Sequence, residues 1–190
     1  MIIKPSFFAR AALLFALVAP VSAFAQAPAQ AQAQDAPKSG LVAASSGTVG
    51  FIYQFNERLA VRPTLGFSHS STSTDPISAE TSTTSWAPGI SVLLYSQKWD
   101  AVRAYVAPGY EYTHSSSSLT TTTTTTESSA NTNLFFGAVG AQYDPHPHFG
   151  AFGEVGLAYS HRSTQTVGST TVGKQNAWAV RAAVGAIFYF

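Results

Sequence analysis

Five ionised side chains stand in stretches otherwise made of apolar and small residues: Arg62, Arg103, Glu111, Glu154 and Arg181. If these stretches are strands, side chains alternate between two faces. Arg62 then shares a face with Thr64 and Gly66. Arg103 lies with Tyr105, Gly109 and Glu111, Glu154 with Phe152 and Gly156, and Arg181 with Ala183 and Gly185. Three arginines against two glutamates on one interior face is the chemistry of mutually neutralising ion pairs, or of a gate whose pairings swap. Measured back from the histidines described next, Arg62 and Glu154 fall at the same depth. That pair, or Arg181 with Glu154, is the candidate internal salt bridge.

A second chemistry recurs three times, as aromatic-x-His-x-Ser: Phe67-Ser-His69-Ser-Ser71, Tyr112-Thr-His114-Ser-Ser116 and Tyr159-Ser-His161-Arg-Ser163. A His-x-Ser pair supplies a base and a nucleophile, but a triad also needs a group that orients the imidazole. Glu80 and Glu127 are available carboxylates, yet both fall in segments that spacing does not place. The motif is cheap in a chain this rich in Ser, so no catalytic residue is assigned and no enzymatic activity is expected. Three separate strands hold the histidines too far apart for a metal site. No Gly-rich phosphate loop, zinc motif or calcium loop is present, so no cofactor is expected. The chain has no Cys, which removes thiolate ligands, disulfides and a lipid-anchoring cysteine together.

The elements that must position these residues are short amphipathic strands. The clearest is Asn176 to Phe190. Phe190, Phe188, Ala186, Val184, Ala182, Val180 and Trp178 form an apolar face with aromatics at both ends, and the other face is small with Arg181 in its middle. Rings bracketing an apolar stretch of about ten residues match a strand that crosses a bilayer. Three hairpins precede it. The first runs Thr48–Phe55, turns at 56–58 and continues from Leu59 to about Ser71. The second runs from about Ser85 to Tyr95, turns at 96–100 and climbs from Ala101 to about Ser115. The third runs Thr132–Tyr143, turns at Asp144-Pro-His-Pro-His148 and climbs from Phe149 to about Ser163. Ser/Thr-rich segments at 72–85, 117–129 and 164–171 follow the three ascending strands and read as long polar loops, although Thr120–Thr126 can extend a ladder because Thr favours strands. Short turns alternating with longer polar connections are the pattern of an outer-membrane barrel.

Composition agrees. Charged residues are 10% of the chain and hydrophobic residues 45%, against a usual charged share of about 25%. Lys4 and Arg10, the apolar run Ala11–Ala19 and Ala23-Phe24-Ala25 form a cleavable signal peptide over 1–25. Residues 26–37 are mostly Ala, Gln and Pro and read as a linker, leaving 38–190 as the barrel. Loss of Lys4 and Arg10 brings the remainder close to neutral, which argues against a nucleic-acid partner. By parity every charge at membrane depth faces the lumen; on the lipid side one would cost about 2–4 kcal/mol. The expected fold is therefore all-β, a transmembrane antiparallel up-and-down barrel.

The terminal Val184-Gly-Ala-Ile-Phe-Tyr-Phe190 and the hairpin Val49-Gly-Phe-Ile-Tyr-Gln-Phe-Asn-Glu-Arg-Leu-Ala-Val-Arg62 resemble the small outer-membrane β-barrel family that includes the OmpA transmembrane domain and OmpX. The resemblance covers about residues 47–190. It implies eight strands with both ends in the periplasm. It also implies that Phe188 and Phe190 serve as a signal for the barrel-assembly machinery, and a role in adhesion, envelope integrity or modest permeability. Seven strands are evident. The eighth must be about Lys38–Ser45, an Ala-rich segment followed by a tight turn at Ser45-Ser46-Gly47; otherwise the wall keeps an unsealed seam.

The resulting expectation is a monomer of the outer membrane. Its partners are the bilayer, lipopolysaccharide and a surface protein or host partner. Phe67, Tyr112 and Tyr159 would form an outer girdle, with His69, His114 and His161 one step above it at the height of lipopolysaccharide phosphates. Its function would be surface interaction through the Ser/Thr-rich extensions. The alternatives are a narrow passive channel with an Arg/Glu gate and, remotely, a lipid A hydrolase, since lipid A deacylase barrels carry a similar outer His-x-Ser pair.

Overall fold

The computed structural model describes residues 38–74, 79–121, 123–167 and 172–190. The expected signal peptide and linker lie outside them. Eight antiparallel strands form one closed barrel in sequence order: β1 Lys38–Ala44, β2 Thr48–Asn56, β3 Leu59–Thr74, β4 Ala79–Trp99, β5 Val102–Thr120, β6 Thr125–His146, β7 Phe149–Thr166 and β8 Val172–Tyr189. The Ala-rich segment is the eighth strand. β1 pairs with β2 from Lys38↔Gln54 to Ala43↔Val49, and with β8 from Gly40↔Tyr189 to Ala44↔Gly185. Its turn closes through the Gly47 N–H donating to Ala44 O at 3.1 Å, with Gly47 at φ 73°, a conformation glycine reaches without Cβ strain.

The Ser/Thr segments expected as loops are mostly strand. β3 pairs with β4 up to Thr74↔Ala79, β4 with β5 up to Glu80↔Thr120, and β5 with β6 up to Thr120↔Thr125. The turn between β5 and β6 shrinks to a few residues, held by the Thr121 N–H and Oγ1–H, both donating to Thr124 O at 2.8 and 3.0 Å. The physical reason is that Thr combines strand propensity with a hydroxyl that pairs across the ladder. Ser68 with Ser85, and Thr83 with Ser117, meet at 2.7 and 2.9 Å. At the other end most of the expected 96–100 turn, up to Trp99, is also strand. β4 runs to Trp99 through a bulge between Tyr95 and Lys98, and Asp100 turns the chain at φ 52°.

The alternation separates two environments. Outward side chains form an apolar belt, with Val180 72% and Trp178 74% exposed. Its upper rim holds Phe67, Trp86, Tyr112, Phe135, Tyr159 and Trp178, with Phe67 paired to Trp86 and Tyr159 to Trp178. Its lower rim holds Phe55, Trp99, Tyr143, Phe149 and Phe188. A continuous apolar belt bounded by two aromatic rows is a surface built for a bilayer rather than for water. Inside, Ile52, Leu93, Ile187 and Gln142 are fully buried and, with Tyr95, Tyr105, Phe152 and Tyr189, fill the lower half of the bore.

Candidate functional site

The middle of the bore is stopped by Glu154. Arg62 reaches across from β3 on β7, its Nη2 donating to Glu154 Oε2 at 2.8 Å while its Nε donates to Ser91 Oγ at 3.1 Å. The Tyr105 hydroxyl donates to the same Oε2 at 3.2 Å. Arg181 approaches from β8, with Nη2 3.8 Å from Oε1. The rings of Phe152 and Phe136 back the two guanidiniums, 4.9 Å from Arg62 and 3.9 Å from Arg181. Glycines admit these rings. At Gly140 a Cβ would meet Tyr105 Cζ at 2.6 Å and the Gly153 carbonyl at 2.8 Å. The void at this level is about 30 Å³, room for a water or two. Among the described residues no buried side-chain polar atom lacks a partner.

Arg103 and Glu111 are not part of this cluster, although both face inward. Arg103 lies at the lower end of β5. Its Nη2 donates to Asp144 Oδ2 at 2.7 Å, and its guanidinium lies 4.6 Å from the centre of the Tyr95 ring. Gln142 Nε2 donates to both Asp144 oxygens and to the Tyr189 hydroxyl, and its Oε1 accepts from Tyr95 at 2.7 Å. The single network expected from five charges is therefore two stacked layers, with Glu111 above both. Sequence reasoning missed Asp144, which it placed in a turn, and the neutral members Ser91, Tyr95, Gln142 and Tyr189, and it set Tyr105 on the inner face without a partner. Their lumen parity was the available signal. Below the lower layer the bore widens into a vestibule of about 520 Å³ lined by Lys38, Gln54, Lys98, Arg103 and Asp144.

The outer histidines form a row of cross-strand pairs just above the girdle. Nδ1 of His69 lies 2.9 Å from Thr84 Oγ1, that of His114 2.7 Å from Asn131 Oδ1, and that of His161 2.6 Å from Asn176 Oδ1. Asn131 Oδ1 also accepts from the Tyr112 hydroxyl at 2.8 Å. With Nδ1 engaged, Nε2 is the nitrogen left to other groups. At His114 it meets Ser116 Oγ at 3.3 Å, which aligns Ser116, His114 and Asn131. Ser116 and its neighbours belong to continuous ladders with both β4 and β6, which engages the amides that would have to stabilise an oxyanion. The turn histidines 146 and 148 are local: His148 N–H donates to His146 Nδ1, and His148 Nδ1 lies 3.2 Å from Tyr189 O.

A family profile described as outer membrane protein beta-barrel domain matches residues 11–188. No curated protein matches the chain. Among solved structures, a major outer membrane protein from Thermus thermophilus is similar at 15% identity and a TM-score of 0.57, over 82% of this chain and all of that one. Ail, the attachment invasion locus protein of Yersinia pestis, in complex with the heparin analogue sucrose octasulfate, is similar at 12% identity and a TM-score of 0.47, over 81% of this chain and 95% of that one. Neisserial surface protein A gives 14% identity and a TM-score of 0.45, over 81% and 94%. Likeness at these identities is one of fold.

Proposed function

Since the chain belongs to the outer membrane protein β-barrel domain family and resides in the outer membrane, we propose that it is a surface-interaction protein, a plugged pedestal that holds a rigid hydroxyl-bearing sheet outside the cell. The observation that carries this reading is the continuation of β3 to β8 past the outer girdle as paired ladder rather than loop. A preformed sheet loses less freedom on binding than a flexible loop of the same composition. The outer parts of β3 and β8 each pair on one side only, with β4 and β7. Such edges take up an extended segment of a surface protein or host partner by strand addition. The His row, set at headgroup height, is suited to lipopolysaccharide phosphates. In this reading the bore is given no catalytic role, nor is the outer Ser116–His114–Asn131 alignment, whose strand amides are engaged in the ladders with β4 and β6.

The test is removal of Leu119–Ser129, which shortens the β5–β6 wall while leaving the membrane belt intact. Bacteria displaying the trimmed barrel should lose adhesion to host-cell monolayers while the protein keeps heat-modifiable migration on gels. Undiminished adhesion would overturn the reading. A second reading, a narrow passive channel, draws on one observation. Arg181 and Arg62 both reach Glu154, so the carboxylate has an alternative partner if the first pair opens.

A further inference from the structure

The wall of the barrel is not of even height. β1 has 7 residues and β2 has 9, whereas β3 has 16 and β8 has 18. The β1–β2 turn is tied to β8 by the Ser45 N–H donating to Val184 O at 2.8 Å and the Val184 N–H donating to Ser45 Oγ at 3.3 Å. Above that tie no ladder joins β8 to β3 among the described residues. β8 pairs with β1 only as far as Gly185 but with β7 as far as Val172, and β3 pairs with β2 only as far as Gly66 but with β4 as far as Thr74. Main-chain groups of a strand alternate sides, so Ala182 and Val180 point their N–H and C=O the same way as Val184, into the gap. Both lie below Trp178 of the outer girdle, at the depth of the outer leaflet.

Unpaired backbone at that depth costs several kcal/mol per group unless it lines a cavity. A cavity of about 440 Å³ is there, within the size range of small-molecule sites. Its wall includes Glu111, Leu134 and Arg181 from the lumen face and Phe67, Val180 and Ala182 from the lipid face. One space thus touches both faces of the barrel wall. Beneath it the Arg62–Glu154 plug closes the bore.

The chemistry of the wall is amphiphilic. Arg181 holds only the longer, 3.8 Å contact with Glu154, while Arg62 takes the 2.8 Å one, and the Arg181 side chain stays 24% exposed. Glu111 forms no ion pair among the described residues. An ion of either sign would be attracted by one of these groups and repelled by the other. A neutral head that both donates and accepts hydrogen bonds satisfies both. The way out, between Phe67 and Val180, is apolar. We propose that this gap is a lateral binding site for a neutral single-chain amphiphile with a hydroxyl or amide head. The head sits between Arg181 and Glu111, and the chain leaves through the wall into the outer leaflet.

The proposal is tested on the full chain in phospholipid nanodiscs, with a diazirine-bearing twelve-carbon alcohol as probe and adducts mapped by mass spectrometry. Adducts are expected on the lumen-facing Leu134 as well as on Val180, falling at least five-fold with excess unlabelled dodecanol. Val139, lipid-facing elsewhere on the belt, should be labelled without saturation. Sulfate-headed and trimethylammonium-headed probes should label Leu134 at least five-fold less than the alcohol, and Glu111→Gln should raise labelling by the sulfate probe. Labelling confined to lipid-facing residues, with Leu134 untouched, would overturn the site. Equal labelling of Leu134 by the charged probes would overturn the neutral-head assignment. Neither outcome depends on adhesion, so the site and the surface-binding reading fail separately.

Discussion

Arg62 Nη2 stands 2.8 Å from Glu154 Oε2 across the bore, with both side chains at 5% exposure or less. The two residues are far apart in sequence and meet only because the ring is closed. A buried pair of this kind costs desolvation on both sides, and its Coulomb gain returns that cost only while both partners are present.

Glu154→Gln should therefore destabilise the barrel by about 3–5 kcal/mol, since it leaves Arg62 buried with no counter-charge. Arg62→Met combined with Glu154→Leu should recover most of that loss, because an apolar pair of similar volume carries no stranded charge. Urea unfolding in lipid vesicles measures both. A double variant as weak as the single one would show that the fold needs the charges themselves.

A plug with room for a water or two should not pass hydrated ions. Planar bilayers holding the unaltered protein should show no steps above baseline, and Arg62→Ala with Glu154→Ala should stay silent too, because Ile52, Leu93, Gln142 and Ile187 still fill the lower half of the bore. Steps from the unaltered protein that change on substitution of Glu154 would favour the channel reading.

Gly140→Ala should strain the plug from the side. The new methyl would lie 2.6 Å from Tyr105 Cζ and 2.8 Å from the Gly153 carbonyl oxygen. Overpacking of this order costs about 1–3 kcal/mol. It should move the Tyr105 hydroxyl off Glu154, seen as a change in tyrosine near-ultraviolet dichroism. Joint replacement with Tyr105→Phe should not restore stability, since the Gly153 carbonyl remains in the way.

Ser116 should stay unmodified by a fluorophosphonate probe in intact cells, and Asn131→Ala should not alter that. Labelling of Ser116 that disappears in His114→Ala would show an activated nucleophile and turn the outer row into a catalytic site.

Parity along single strands was enough to place Arg62, Glu154 and Arg181 on the inside, because a period of two fixes the face of every residue once a strand is recognised. Height was harder. Which inward residues meet depends on the stagger accumulated around eight strands, and no local pattern encodes it. Arg62 and Glu154 could be matched in depth because each precedes a repeat histidine by the same count. Arg103 and Asp144 could not, because Asp144-Pro145 carries turn chemistry and masked an inward acid. The Ser/Thr segments misled for a related reason. Hydroxyl residues are common to loops and to water-exposed ladders, and only the partner strand decides between them.

The short join of Gly40–Ala44 to Gly185–Tyr189 also bears on how the cylinder is made. The eight staves can zip up in chain order along seven seams, the five from β3 to β8 long, before the last latch engages. Rolling the finished sheet into a tube then hinges on a handful of main-chain bonds at its periplasmic end, and that latch is where a mechanical pull would first reopen it.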